Sequence, residues 1–216
     1  NTSTNANDDR VFRFDLTSPY DVSTCAFANQ TSDLDTGTLQ DGSNAGDITE
    51  GSNNRLQGFE INNDGTKLFA IFHGASSQNT RLLEYQLSTA YDLSTISIIT
   101  DAGIELNDEA TNPKGLRFSP DGKRFWVTDH QATATGRDVV QVSLAVAFST
   151  SSFTIDGTAS IADSNEQSNG IAFSAAGLKM YIPNENDNEI YEYHLVCPFN
   201  IIAGKCPPIT ENSVRT

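Results

Sequence analysis

The chain writes one phrase four times. It reads "VFRFDLTSPYDVS" from Val11, "LLEYQLSTAYDLS" from Leu82, "VVQVSLAVAFSTS" from Val139 and "IYEYHLVCPFNII" from Ile190. Apolar residues fall at every second place: Phe12, Phe14 and Leu16; Leu83, Tyr85 and Leu87; Val140, Val142 and Leu144; Tyr191, Tyr193 and Leu195. Between them lie mostly polar residues, among them Arg13, Asp15, Glu84, Gln86, Gln141, Ser143, Glu192 and His194. A period of two predicts a strand with one buried face and the polar residues turned outward. An aromatic follows at a fixed offset each time (Tyr20, Tyr91, Phe148, Phe199), and then a further short strand such as "ISII" from Ile96 or "SFTI" from Ser152.

A second phrase alternates with the first. "GFEINNDGTKLFAIF" from Gly58, "GLRFSPDGKRFWVTD" from Gly115 and "GIAFSAAGLKMYIPN" from Gly170 each read as strand, turn, strand. Asp64-Gly65 and Asp121-Gly122 are strong turn dipeptides because glycine supplies the positive φ, and the third copy keeps only Gly177. Hairpin, strand, strand makes a four-stranded unit of about 50 residues, within the range of propeller blades. A single blade cannot bury both faces, so blades must stack. The expected fold is therefore all-β: a β-propeller or partial propeller of four-stranded antiparallel blades, about three and a half in this chain. The chain opens on the last two strands of a blade, and their bare edge calls for strands from the C-terminal tail, from an upstream region or from a second subunit.

Phe14, Tyr85, Val142 and Tyr193 stand 71, 57 and 51 residues apart, and the long first interval contains a polar stretch read as an inserted loop over 29–54. The expected organisation is a polar arm at 1–10, blade repeats over 11–206 and a tail at 207–216.

Thirteen basic residues face 28 acidic ones, a formal net charge of −15. No cationic cluster exists to release phosphate counterions, which argues against nucleic acid or an anionic membrane as partner. No apolar run approaches the ~20 residues that span a bilayer, so membrane insertion by this chain is not expected. Abundant Asn, Ser, Thr, Asp and Gly with scarce Lys suit an extracellular or cell-surface β-protein. Cys197 and Cys206 flank eight residues and are disulfide candidates in an oxidising compartment, while Cys25 is left over as a buried thiol or as a partner for one of them or for another chain.

The hairpins "GLRFSPDGKRFWV" and "GIAFSAAGLKMYI" resemble the blade hairpins of bacterial propellers in the broad WD40-like and lactonase-like group. "EYQLSTAYDLST" beside such a hairpin resembles repeat proteins of marine bacterial and phage surfaces. "CPFNIIAGKCPPITENSVRT" is similar to the stretch leading into the anchoring region of autotransporter-like surface proteins. The resemblance covers Val11 to Ile202. It implies a propeller fold and an extracellular setting, and says little about chemistry.

No G-x-S-x-G, P-loop, G-x-G-x-x-G or H-E-x-x-H motif occurs. A noncatalytic protein is expected. Eight residues beyond each hairpin glycine stand His73, His130 and Glu185, and one place earlier Phe72, Asp129 and Asn184. The loops leading into the blades carry Gln57, Asn112 and Asn169. Those loops open on one face, so His73, Asn112, Asp129, His130, Asn169, Asn184 and Glu185 form the candidate ligand-binding set. The bland alternative is that Asp129 and Asn184 hydrogen-bond turn backbone. His194 reads as solvent-facing. Asp33, Asp35, Asp41 and Asp47 in the inserted loop are candidate calcium ligands, since calcium prefers several hard oxygens, although a solvated loop is the simpler reading of them. No cofactor other than calcium is suggested. Asn1 and Asn29 fit the glycosylation pattern.

Three functions are compatible with these features. The first is a noncatalytic surface protein that self-associates, as a structural or filament subunit, through the incomplete blade or the N-terminal arm. The second is a glycan- or ligand-binding propeller module, calcium-assisted or not. The third, ranked last, is a lactonase-like hydrolase.

Overall fold

In the computed structural model, residues 9–34, 55–73, 80–130, 139–160, 168–185 and 188–202 are described. Their regular structure consists of strands and two single 3-10 turns, Val22–Thr24 and Leu93–Thr95. The strands are β1 (Phe12–Leu16), β2 (Cys25–Gln30), β3 (Arg55–Ile61), β4 (Lys67–His73), β5 (Thr80–Leu87), β6 (Ile96–Glu105), β7 (Pro113–Phe118), β8 (Arg124–Asp129), β9 (Val139–Val146), β10 (Ser149–Ala159), β11 (Ala172–Phe173), β12 (Lys179–Asn184) and β13 (Glu189–His194).

Two sheets are complete antiparallel meanders, β3-β4-β5-β6 and β7-β8-β9-β10. A third has the order β11-β12-β13, and β1 pairs with β2 alone. The chain is thus a partial β-propeller: a leading half-blade, two full blades and a third blade with three described strands. The recurring phrase forms β1, β5, β9 and β13, the third strand of each blade.

Each hairpin turn is set by its glycine. Gly65, Gly122 and Gly177 have φ of 74°, 69° and 68°, a region that residues with a Cβ adopt at a cost. In the first turn the Asp64 carboxylate accepts from the Thr66 amide at 3.0 Å, and in the second Asp121 accepts from Lys123 at 3.0 Å. These bonds hold the tight loop that an Asp-Gly pair favours.

The core lies between blades. Phe69, Ile71 and Leu82 of the first full blade pack with Phe118, Phe125, Val127 and Val140 of the second. Trp126 and Val139 of the second pack with Met180 and Ile182 of the third. Alternation along a strand therefore sends successive side chains to opposite neighbours, and Leu68 to Phe72 of β4 are all fully buried. Gln86 faces outward as expected, but Glu84 and Gln141 do not. Glu84 and Gln141 are 2% and 1% exposed because a blade covers both sides of their sheet. Their polar atoms are satisfied internally, as buried polar groups must be. Glu84 accepts from Lys67 Nζ, from the Thr150 amide at 2.7 Å and from the Thr150 hydroxyl at 2.8 Å. Gln141 accepts from Trp126 Nε1 at 3.2 Å and from the Ile201 amide at 2.9 Å, and donates to Asp156 at 2.8 Å. His194 is solvent-exposed, as expected.

The half-blade departs in the other direction. Phe12, Phe14 and Leu16, the apolar face expected to be buried, are exposed, Phe14 by 55%. Among the described residues β1 has β2 as its one strand neighbour. The inserted loop is also shorter than its composition suggests. Asn29 and Gln30 belong to β2, and Leu34 is fully buried, its carbonyl accepting from the Tyr85 hydroxyl at 3.1 Å. A buried leucine in a polar stretch anchors the loop to the first full blade.

Candidate functional site

The ends of β4, β8 and β12 and the segments leading into β7 and β11 meet at one end of the blade stack. Asp129 is the last residue of β8, and burial forces it to find donors. Its carboxylate accepts from the Thr111 amide at 2.8 Å, the Thr111 hydroxyl at 3.3 Å and the Asn112 amide at 2.8 Å. The His130 amide donates to the Asn112 carbonyl at 2.9 Å, closing the same loop. Asp129 is thus a brace for the chain entering β7, the bland alternative weighed for it above. The brace continues into the third blade, where the Ser168 hydroxyl donates to the Asp129 carbonyl at 2.9 Å. Ser168 in turn forms a β-bridge with buried Asn184. Asn169 donates to Glu185 at 2.7 Å, an exposed pair further out.

Of the seven candidate ligand residues, the fold joins Asn112, Asp129 and His130 directly, and joins Asn169 to Glu185. His73 lies within electrostatic reach of Asp129, Lys114 and Arg55. The sequence reading missed Lys114, Thr111 and Ser168. Lys114 Nζ donates to Gln57 at 3.2 Å, linking the segments that lead into the first two full blades. The usable signal was the residue just before each hairpin glycine: Gln57, Lys114 and Asn169 occupy equivalent places.

Burial holds the His73 imidazole below its usual pKa, and the Lys114 and Arg55 cations add to this. A hydrogen bond with the Thr111 backbone and the Asp129 charge oppose it. A base with a depressed folded pKa binds fewer protons folded than unfolded between that pKa and about 6.5. His73 therefore contributes stability that is complete above about pH 6.5 and is lost as pH falls through that window. The expected result is a His73 ring that titrates below 6.5 by NMR, and a flatter acid limb of the stability curve for His73→Gln. A His73 ring titrating at or above 6.5 contradicts this.

Among the described residues no three His, Cys, Asp or Glu side chains converge as a metal site. Of the calcium candidates, Asp33 accepts from the Asp9 amide at 3.1 Å, which leaves it tied to the chain just before β1. Asp35, Asp41 and Asp47 lie outside the described residues, as do Asn1 and Cys206. Asn29 donates to Asp92 at 2.8 Å and accepts from the Leu93 amide at 3.3 Å, so its amide is engaged on both sides. Cys25 is an exposed free thiol, which settles its burial against the buried reading, and Cys197 is not a free thiol.

No family model and no curated protein matches this chain. Solved structures do. A candidate 6-phosphogluconolactonase from Bacteroides uniformis matches with a TM-score of 0.49 and 11% identity, over 89% of this chain and 48% of its own. The β-propeller domain of Cps50 (Swd1) from Myceliophthora thermophila matches with a TM-score of 0.46 and 15% identity, over 87% of this chain and 50% of its own. The periplasmic gluconolactonase PpgL of Pseudomonas aeruginosa matches with a TM-score of 0.44 and 17% identity, over 65% of this chain and 37% of its own. This chain spans half or less of the length of those propellers. Likenesses this distant carry nothing about activity, and the blade architecture rests on the sheets described above.

Proposed function

We propose that this chain is a noncatalytic, extracellular scaffold that self-associates by stacking further β-structure on its open leading half-blade. One observation carries the reading: Phe12, Phe14 and Leu16 of β1 are exposed where their equivalents in β5 and β9, Leu83, Tyr85, Leu87, Val140, Val142 and Leu144, are buried. Left in water, such a face is a hazard for solubility, and a covering partner turns it into an interface. The mouth residues support a noncatalytic role, since Asp129 is consumed in bracing a loop. The extracellular setting is supported by composition, rich in Asn, Ser, Thr, Asp and Gly and poor in Lys. A surface or filament subunit is the form of assembly this reading favours, because a head-to-tail contact that does not close gives a fibre.

The test is the mass of the purified chain across concentration. Light scattering is expected to find dimers or larger assemblies at micromolar concentration, and Phe14→Asp is expected to return them to monomer. A wild-type chain that stays monomeric at all accessible concentrations overturns the reading.

A further inference from the structure

Gly58, Gly115 and Gly170 open the three hairpin phrases, and the first two are glycines because space demands it. A Cβ on Gly58 would meet the Leu116 amide nitrogen and the Lys114 carbonyl, each at 3.3 Å. One on Gly115 would come within 2.8 Å of the Gly170 Cα and of the Thr128 hydroxyl. Gly170 has no such reason of its own. Its φ is not positive, and a Cβ there would meet only Pro183 Cγ, at an ordinary 3.8 Å.

The Gly170 peptide nitrogen stands apart as well. The Gly115 amide donates to the Thr128 hydroxyl at 2.9 Å. Thirteen residues after Gly170, as Thr128 is after Gly115, the chain has Pro183, whose side chain offers no acceptor. β11 begins only at Ala172, so no ladder bond reaches the Gly170 amide either, and among the described residues no acceptor takes it.

The residue before Gly170 is an asparagine, and Asn169-Gly170 is the chain's single Asn-Gly pair. Asn169 is exposed, and its Nδ2 donates to Glu185 Oε2 at 2.7 Å. Its neighbours are held. Ser168 is buried, bridges to Asn184 and donates to the Asp129 carbonyl at 2.9 Å, while the Gly170 Cα packs against Gly115. An exposed side-chain amide is therefore set beside a peptide nitrogen that has neither a hydrogen bond nor a neighbouring side chain to shield it.

We propose that Asn169 is a site of spontaneous deamidation, with the Gly170 peptide nitrogen as the nucleophile. That nitrogen gives its proton to solvent base and bonds to Asn169 Cγ. The Cγ–Nδ2 bond breaks, and Nδ2 leaves with a solvent proton as ammonia. The product is a five-membered succinimide, and water then breaks one of its two ring C–N bonds. Cleavage at Cγ gives aspartate, and cleavage at the main-chain carbonyl carbon gives isoaspartate. One water is consumed and one ammonia released, with no oxidation or reduction. A hydrogen bond from the glycine N–H, of the kind that Thr128 accepts at Gly115, opposes the first step because that proton must be lost. A side chain on the glycine opposes it by crowding the approach.

The products alter the third blade in two ways. Aspartate replaces the Asn169 donor with a second carboxylate facing Glu185, so a bond between the segment entering β11 and the end of β12 becomes a repulsion. Isoaspartate lengthens the main chain by a methylene between Ser168 and Gly170, both of which are held in place. β11 has two residues where β3 has seven and β7 has six, so it is the inner strand least able to absorb that shift.

The test incubates the full chain at neutral and mildly alkaline pH and follows every asparagine by peptide mapping with mass spectrometry. Isoaspartate is counted separately with an isoaspartyl methyltransferase. Asn169 is expected to convert first, faster at the higher pH, to a mixture of aspartate and isoaspartate. Gly170→Ala, which the space around that residue allows, is expected to lower its conversion to that of the chain's other asparagines. Pro183→Thr, which restores the hydroxyl found at Thr128, is expected to slow conversion severalfold in the folded chain and to leave it unchanged in urea. Hydrogen exchange across β11 and β12 is expected to be faster in the converted chain than in the fresh one. An Asn169 that stays intact while other asparagines convert overturns the inference, and so does undiminished conversion in Gly170→Ala. Equal conversion of the folded wild type and Pro183→Thr refutes the role given to the free amide, and unchanged exchange refutes the effect on the third blade.

Discussion

Replacing Glu84 by alanine is expected to cost about 3–5 kcal/mol, the range for removing one partner of a buried ion pair. Glu84 reaches across the interface between the two full blades. It takes Lys67 Nζ from its own sheet and the Thr150 amide and hydroxyl from the next. Alanine leaves the Thr150 amide buried without its acceptor, and an unsatisfied buried donor carries the full desolvation penalty. The Lys67 ammonium is partly exposed and keeps the Phe148 carbonyl at 2.8 Å, which places the expected loss toward the lower end. Glu84→Gln keeps one acceptor oxygen and is expected to lose clearly less. Urea denaturation with an unchanged m-value measures both. A Glu84→Ala loss under about 1 kcal/mol would mean that the interface repacks around the hole.

Gly122→Ala is expected to cost about 3 kcal/mol through two separable effects. The backbone at φ 69° carries the strain of a left-handed alanine, about 1 kcal/mol. The new methyl would also sit 2.2 Å from the Phe148 ring, which must move. Phe148 in turn packs against Phe69 and Phe118, so its displacement disturbs the interface between blades, an overpacking cost of about 1–3 kcal/mol. For a chain of this size that corresponds to a melting temperature lower by roughly 10 °C. The double variant Gly122→Ala with Phe148→Ala separates the effects. If the clash dominates, the glycine change costs much less in the Phe148→Ala background. Equal costs in both backgrounds would assign the whole effect to the backbone.

The same pairing of glycine and aromatic explains why the repeat was legible at all. Glycine and aromatic recur together because they touch in each of the three larger blades, although the pair stand 26 positions apart in the first two and 22 in the third. A sequence reader sees both as punctuation, with the glycine marking a turn and the aromatic a fixed offset. Their contact is invisible there, since 26 residues separate Gly65 from Tyr91 in the chain. Likewise Asp129 was singled out because of its place at a strand end. Its role as a brace for Thr111 and Asn112 follows from burial, which no local pattern encodes.

The all-β class, the hairpins and the third strands were determined by the sequence alone, because each rests on local periodicity and turn chemistry. The burial of Glu84 and Gln141, the anchoring of Leu34 and the exposure of Phe14 and Tyr20 were decided by tertiary structure. Strand alternation fixes which way a side chain points. Only the stacking of blades fixes whether water or another sheet is waiting there.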